Sequence, residues 1–331
     1  MAEKMIKTVA IVGAGVIGRG WIQVFARAGC YIRIYDRDPH QIQKALDWFE
    51  EDLRLDVAGG FTTTQRAEAR KALVSTHLDL EEALAGAEYI QESGPERLEI
   101  KKAIFAEVDH IADKSAIIAS STSTLDINNI AADLSGINRC VMAHPFNPPN
   151  IVPVVEVMPT KETDPEIMIH TIEFLKKVGQ KPVVVNFFIS GYLINRIQAA
   201  VVREAIHLVE KGVAGVDAVD TVMRDGLGLR WALLGSFGVN NTNADGGIRE
   251  YYTKYGNAYA AIMNDLDSTS PSFNRELIER IGREVDAMEC GASVEELCRW
   301  RDRMVRSIRA IKEEDPHPCG KVKSYTDSYH S

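Results

Sequence analysis

His144 closes the apolar run Cys140-Val-Met-Ala and is followed at once by Pro145-Phe-Asn147-Pro-Pro, where proline denies the backbone both ladder and helix bonds. Such a run reads as a buried strand, so the histidine falls at its C-terminal end. The chain resumes as Val154-Val-Glu156-Val-Met158, a second apolar strand carrying one acid. A carboxylate among aliphatic neighbours requires a partner. Strand end, sharp turn and returning strand can bring the two side chains together, and a carboxylate that sets the tautomer of an imidazole makes it a general base. A buried histidine with a structural counter-ion satisfies the same pattern.

A second constellation lies upstream. Thr8-Val-Ala-Ile-Val12 runs into Gly13-Ala-Gly15-Val16-Ile17-Gly18, and a helical pattern continues to Ala28, where Gly29 stops it. Gly13 allows a tight turn, Gly15 lets the amides of the helix start, including Val16 and Ile17, approach a diphosphate, and Gly18 lets the helix lie close to the strand. The next strand, Tyr31 to Tyr35, ends in Asp36 at the distance that a dinucleotide fingerprint demands. An acid there binds the adenosine ribose hydroxyls and repels a 2′-phosphate, which favours NAD over NADP, although Arg37 next door weakens the exclusion.

The elements that must position these groups follow in order. Pro39 to Val57 reads as a helix with apolar Ile42, Leu46, Phe49 and Leu53 at helical spacing, and Thr62 to Leu73 as a polar helix before a strand over Leu73 to Thr76. Tyr89 to Ser93 is the next strand, and Gly94-Pro95 turns the chain into a helix over Arg97 to Ala112. Glu96 and Lys101 are candidate cofactor contacts because they follow the carboxyl end of a strand. They also read as a solvated helix start and a surface lysine. Ser115 to Ser120 is a further strand, after which Ser123 contacts a substrate oxygen or caps the helix starting near Asp126.

Asp164 to Val178 reads as a helix and Lys181 to Phe187 as a strand at the sheet edge; from Tyr192 onward the pattern is helical. Tyr192 to Lys211 is one long helix with Asn195 in its first turn, followed by helices over Val216 to Arg224, Ile248 to Met263, Pro271 to Met288 and Val294 to Lys312. The expected fold is α/β: a Rossmann-type, doubly wound, mostly parallel sheet over 1–188, an all-helical substrate and dimerisation domain over 189–312, and a polar mobile tail over 313–331.

Among 331 residues the net charge is −9, with no long Lys/Arg run, so nucleic acid is an unsuited partner. No stretch is apolar enough for a signal peptide or a membrane span, which points to a soluble cytoplasmic protein. The cysteines Cys30, Cys140, Cys290, Cys298 and Cys319 are scattered and read as reduced thiols. No histidine has an i, i+4 partner, so no metal is expected, and the absence of a G-x-S-x-G elbow and of a Walker loop argues against hydrolase and phosphotransfer chemistry.

Together Gly13-x-Gly15-x-x-Gly18, Asp36, Ser121-Thr-Ser123, Ala143-His144-Pro-Phe-Asn147-Pro, Glu156 and Gly191-Tyr-Leu-Ile-Asn195-Arg196 resemble the 3-hydroxyacyl-CoA dehydrogenase superfamily across nearly the whole chain. Ala-His-Pro-x-Asn-Pro-Pro and Asp225-Gly-Leu-Gly-Leu-Arg230 are similar to its lambda-crystallin branch, whose enzymatic members include L-gulonate 3-dehydrogenase. The resemblance implies His144 as base, Glu156 as its orienting carboxylate, Ser123 and Asn195 on the substrate oxygen, Asn147 lining the same cleft, Glu96 and Lys101 on the cofactor, and a homodimer through the helical domain. It implies NAD-dependent oxidation of a secondary alcohol beside a carboxylate, in a cleft between the two domains. The other readings are a 3-hydroxyacyl-CoA dehydrogenase, an L-carnitine dehydrogenase and an NAD-binding structural protein.

Acyl-CoA members have a Gly-x-Pro-x-Gly-Pro-like segment after the long helix, whereas this chain has Gly226-Leu-Gly-Leu-Arg230-Trp231. A guanidinium there clamps a free carboxylate, which a thioester does not offer, so a small free 3-hydroxy acid is expected; pairing of Arg230 with Asp225 or Asp220 is the alternative.

Overall fold

The computed structural model describes residues 6–266 and 269–315. They fall into two compact units, one running to Arg196 and one starting at Ile197. The first unit alternates strand and helix: β1 (Thr8–Val12), α1 (Val16–Arg27), β2 (Tyr31–Tyr35), α2 (Pro39–Ala58), α3 (Thr64–Lys71), β3 (Val74–His77), α4 (Leu80–Leu84), β4 (Tyr89–Glu92), α5 (Leu98–Ile111), β5 (Ile117–Ser120), α6 (Ile127–Ile130), β6 (Cys140–Pro145), β7 (Val154–Pro159), α7 (Pro165–Lys177) and β8 (Lys181–Val184). The helix starts follow side-chain capping: Asp38, Thr63, Asp79 and Asp126 each accept a backbone N–H of the helix that follows. Asp79 thereby starts α4, a short helix for which the sequence pattern had raised no expectation.

The strands form one eight-stranded sheet in the order β3-β2-β1-β4-β5-β6-β7-β8. Every neighbouring pair is parallel except β6 and β7, which run antiparallel. This is the doubly wound, mostly parallel sheet expected. Alternation along the strands divides the core: Val9, Ile11, Val141, Ala143, Val155 and Val157 pack with Trp21, Phe25 and Phe174 on one face, while Ala10, Val12, Cys140, Met142 and Met158 pack with Phe105, Val108 and Tyr192 on the other. By the same alternation His144 and Glu156 belong to the face of Met142 and Met158.

A buried ion pair anchors the start of β6. Arg139 Nη2 donates to Asp109 Oδ1 at 2.6 Å, and the side chains are only 3% and 6% exposed. Asp109 also accepts from the Ser135 hydroxyl and the Gly136 amide, and Arg139 donates to the carbonyls of Asp113 and Ala116. Burial alone would raise the Asp109 carboxyl, but the hydrogen bonds from Arg139, Ser135 and Gly136 together hold it below its ordinary value.

The second unit is helical: α8 (Ile194–Glu210), whose first three residues still belong to the first unit, α9 (Val216–Thr221), a π turn over Val222–Leu227, α10 (Gly228–Asn241), α11 (Gly247–Asp265), α12 (Arg275–Met288) and α13 (Val294–Glu314). Four expectations need correction. The segment 228–241 is a helix that sequence reading passed over, because its glycines depress helix propensity; Gly235, at φ +68°, kinks it. α12 starts at Arg275, where the Asn274 side chain caps it, rather than at Pro271. Tyr192 precedes α8 with a left-handed backbone instead of starting it. α13 runs to Glu314, past the expected end at 312, and most of the expected tail, 316–331, lies outside the described residues. Among the described residues no helix is long and apolar enough to cross a membrane.

Asp109→Asn should destabilise the protein by about 3–5 kcal/mol at neutral pH, since it strands a buried guanidinium. Because the folded-state value of Asp109 is lowered, its contribution is complete above the unfolded carboxylate range and fades as pH falls through the lowered value. Urea midpoints measured from neutral to acid pH should therefore converge for wild type and variant; a constant gap would refute the assignment.

Candidate active site

The site grows from the register of one strand pair. In the antiparallel β6–β7 ladder His144 lies directly opposite Glu156, so their side chains leave the sheet on the same face. The His144 Nδ1 and Glu156 Oε2 atoms are 2.7 Å apart. The other carboxylate oxygen, Oε1, accepts the backbone amides of Leu193 at 2.6 Å and Ile194 at 2.8 Å. Glu156 is 1% exposed, and these three donors take the place of water around it. A carboxylate already accepting two amides acts as acceptor toward the ring as well, so Nδ1 carries the hydrogen. Nε2 has no hydrogen-bond partner among the described residues, and the ring keeps a small opening to solvent. A neutral imidazole so held has a lone pair on Nε2 available for a proton.

Ser123 is the next group brought near. It follows β5 in a loop organised by Glu96, whose Oε1 accepts the Thr122 hydroxyl at 2.7 Å and the amides of Ser123 and Thr124, each at 2.8 Å. The Ser123 hydroxyl lies 3.3 Å from the same oxygen, and Asn195 Nδ2 donates to Ser123 O at 3.4 Å. Burial acts to raise the Glu96 carboxyl; the Thr122 hydroxyl, the Lys101 charge and the two amides outweigh it and hold it below its ordinary value. Asn147 is exposed in the turn between β6 and β7.

Lys101 is not the surface lysine that its sequence position suggested. It is 1% exposed, and its ammonium donates to both oxygens of Glu92, at 2.8 and 3.0 Å, and to Gly94 O at 3.2 Å, with Glu96 Oε2 at 3.5 Å. Glu96 is likewise no merely solvated helix start. Glu92 escaped the sequence reading although its signal resembled that of Glu156, a lone acid ending an apolar strand. It also accepts the Ser120 hydroxyl at 2.6 Å and the Gly94 amide at 2.6 Å, linking the ends of β4 and β5.

The glycine loop has the shape needed for a dinucleotide. A Cβ on Gly18 would stand 1.9 Å from Gly13 O, and one on Gly13, at φ +104°, would stand 2.7 Å from the Ser93 backbone. Beside Gly15, the residue preceding α1, no atom lies within 4 Å of such a Cβ, leaving room for a diphosphate against the amides of Val16 and Ile17. Asp36 Oδ2 accepts the Ala14 amide at 2.8 Å and Oδ1 the Asp38 amide at 2.9 Å, which fixes the acid at the end of β2. Arg37 is turned to Glu107 at 3.2 Å. The residues present thus fit the adenosine half of NAD.

Arg230 belongs to the second unit, exposed on α10, with Nη2 donating to Asn243 Oδ1 at 2.6 Å. The pairing considered for it is taken by its neighbour: Arg224 binds Asp225 at 3.0 Å. Four tyrosines form a cluster on α11, with Tyr251 at centroid distances of 5.7, 5.2 and 6.0 Å from Tyr252, Tyr255 and Tyr259; helical spacing predicted the helix but not this grouping. Among the described residues no group of three or more His, Cys, Asp or Glu side chains is arranged to hold a metal ion.

Asp36→Ala should narrow the preference for NAD over NADP by removing charge repulsion, and Asp36→Ala with Glu107→Gln should narrow it further by freeing Arg37. Comparing kcat/KM for the two cofactors checks this; an unchanged ratio in both variants would show that Asp36 does not set the choice.

Comparison with known proteins identifies the family of the chain. Residues 8–187 match the 3-hydroxyacyl-CoA dehydrogenase NAD binding domain and residues 191–270 the 3-hydroxyacyl-CoA dehydrogenase C-terminal domain. The Homo sapiens lambda-crystallin homolog is 35% identical over 95% of this chain and 99% of its own length, and an L-carnitine dehydrogenase of Bacillus cereus is 34% identical over 95% of each. A solved NAD+-dependent 5-formyl-3-hydroxy-2-methylpyridine 4-carboxylic acid 5-dehydrogenase superposes with a TM-score of 0.76 at 26% identity, over 93% of this chain and 98% of the other. The chain therefore belongs to the 3-hydroxyacyl-CoA dehydrogenase superfamily, in its lambda-crystallin branch, as an NAD-dependent dehydrogenase acting on a CH–OH group.

Proposed function

We propose that this chain oxidises the hydroxyl of a small free 3-hydroxy acid, L-gulonate or a related aldonate, with His144 as the general base. The observation that carries the reading is the His144 ring held by Glu156 through Nδ1 while Nε2 has no hydrogen-bond partner among the described residues. Glu156 orients the ring and stabilises its charged form once the hydroxyl proton has arrived at Nε2. Ser123 and Asn195 position the substrate oxygen, and Asn147 lines the approach. The Gly13–Gly18 loop, Asp36, Glu96 and Lys101 hold NAD, with Lys101 acting through Glu96. When bound, its nicotinamide supplies the hydride acceptor.

The free acid is favoured over a thioester by Arg230, which donates to the Asn243 side chain and has further N–H groups to offer a carboxylate. The relative named L-carnitine dehydrogenase takes its name from a free 3-hydroxy acid, and the solved relative is named for a carboxylic acid. L-carnitine is the second reading, favoured by the tyrosine cluster on α11, since aromatic faces attract quaternary ammonium. The Tyr259 hydroxyl is pushed up mainly by its hydrogen bond with Tyr251, with the Arg230 charge opposing.

His144→Gln should reduce turnover by about 10²–10⁴-fold while leaving NAD affinity nearly unchanged. Initial rates with L-gulonate, 3-hydroxybutyrate, L-carnitine and 3-hydroxybutyryl-CoA on wild type and Arg230→Met decide the substrate. Best activity on the thioester, or an unchanged KM for free acids in Arg230→Met, would defeat the free-acid reading.

The proposal extends to a cytoplasmic homodimer formed through the helical unit. α13 buries none of its residues, and Trp300, Met304, Ile308 and Ile311 leave an apolar stripe exposed at helical spacing, a face that a second copy would cover. Light scattering should give twice the chain mass, and Ile308→Glu should lower it; a monomeric wild type would end this part of the proposal.

A further inference from the structure

Tyr192 takes no part in the mechanism above, yet it occupies an unusual position. Its φ is +47°, in the left-handed region that costs free energy for any residue with a Cβ, and it follows Gly191 at φ +77°. Its ring is wholly buried, packs edge-on to Phe188 at 5.6 Å and lies 6.3 Å from the His144 ring. Its hydroxyl donates to Leu125 O at 2.6 Å, and Leu125 stands two residues after Ser123 in the loop that Thr122 and Glu96 hold.

What the left-handed turn accomplishes is visible in the next two residues. In a helix continued back through Tyr192, the Leu193 and Ile194 amides would point along the helix axis toward preceding carbonyls. After the turn both point at Glu156 Oε1. The side chain and the backbone of one residue thus connect the loop carrying Ser123, the imidazole and the amides that hold the carboxylate. Burial first, and then the negative charges of Asp126, Glu96 and Glu156, push the ionisation of the Tyr192 hydroxyl up, so it remains a donor.

We infer that Tyr192 is a positioning residue for proton transfer: its tether to Leu125 O locks the left-handed turn that aims the Leu193 and Ile194 amides at Glu156, and so sets where the His144 ring stands relative to Ser123. This rests on the reading of His144 as the base. A tyrosine whose hydroxyl serves stability alone would lose melting temperature but not turnover on becoming phenylalanine, because the ring contacts survive and the Leu125 carbonyl is left without its donor.

The test is a double-mutant cycle of wild type, Tyr192→Phe, His144→Gln and the combined variant, assayed with NAD and the best free hydroxy acid, with melting temperature and NAD affinity measured alongside. Tyr192→Phe is expected to lower kcat about tenfold, the size of one hydrogen bond, with NAD affinity unchanged and the melting temperature lower only by the few degrees that one such bond contributes. In the His144→Gln background it is expected to cause no further loss, because the tether acts through the ring. Tyr192→Asn, which tolerates the left-handed backbone but removes ring and hydroxyl, is expected to lose at least as much kcat. Wild-type kcat in Tyr192→Phe, an equal loss in both backgrounds, or a loss matched by weaker NAD binding would each overturn the inference. Wild-type turnover in His144→Gln would overturn the base assignment as well, a result read from that variant alone and so distinct from failure of the tether.

Discussion

A carboxylate that is 1% exposed must be surrounded by donors or lose its charge, and around Glu156 three donors converge from two separate parts of the chain. One is the imidazole directly across the β6–β7 ladder. The other two are consecutive amides that precede or open α8, turned toward the carboxylate by a pair of left-handed residues. The strand pair, the turn and the helix start are therefore tied to one atom group. A one-residue slip of β7 against β6 would send Glu156 to the opposite face and leave both the histidine and the amides facing aliphatic side chains.

The same device recurs one strand pair away with a different partner. Glu92 is also buried at a strand end, but its register partners Val12 and Ser120 carry no charge, and the counter-charge comes instead from Lys101 on the following helix. Its remaining acceptor capacity joins the Ser120 hydroxyl and the Gly94 amide, while Lys101 reaches on to Glu96. Glu96 then collects the Thr122–Thr124 loop. Three carboxylates, two of them buried, thus hold the two groups proposed to act on one substrate oxygen, the base through Glu156 and Ser123 through Glu92 and Glu96. The glycine loop is held by sterics instead, with no space for a side chain at Gly18, and by the Asp36 carboxylate on the Ala14 amide.

Much of the first unit could be read from local pattern. The Gly13–Gly18 spacing and Asp36 express what a tight turn, a diphosphate and a ribose require of neighbouring residues, and the structure has that turn. The apolar runs of β1, β5, β6 and β7 became strands within a few residues of their expected limits, because a strand buried on both faces tolerates little else. His144 and Glu156 were legible as a pair for the same reason: an acid in an aliphatic strand announces that a partner exists nearby.

Local pattern in the chain is accordingly short in range: periodicity, glycines where no Cβ fits, and the types of residue at strand ends. Which distant groups meet was settled by the packing of the folded chain. Lys101 became buried because β4 placed Glu92 beneath it, Arg230 found Asn243 while Arg224 took Asp225, and the Tyr192 hydroxyl reached Leu125 across 67 positions of chain. The helix 228–241, rich in glycine, formed against its own propensity. A charged or polar side chain carries in its sequence position the need for a partner but not the partner's address, since that depends on how separate elements pack, and packing is settled by the whole chain at once.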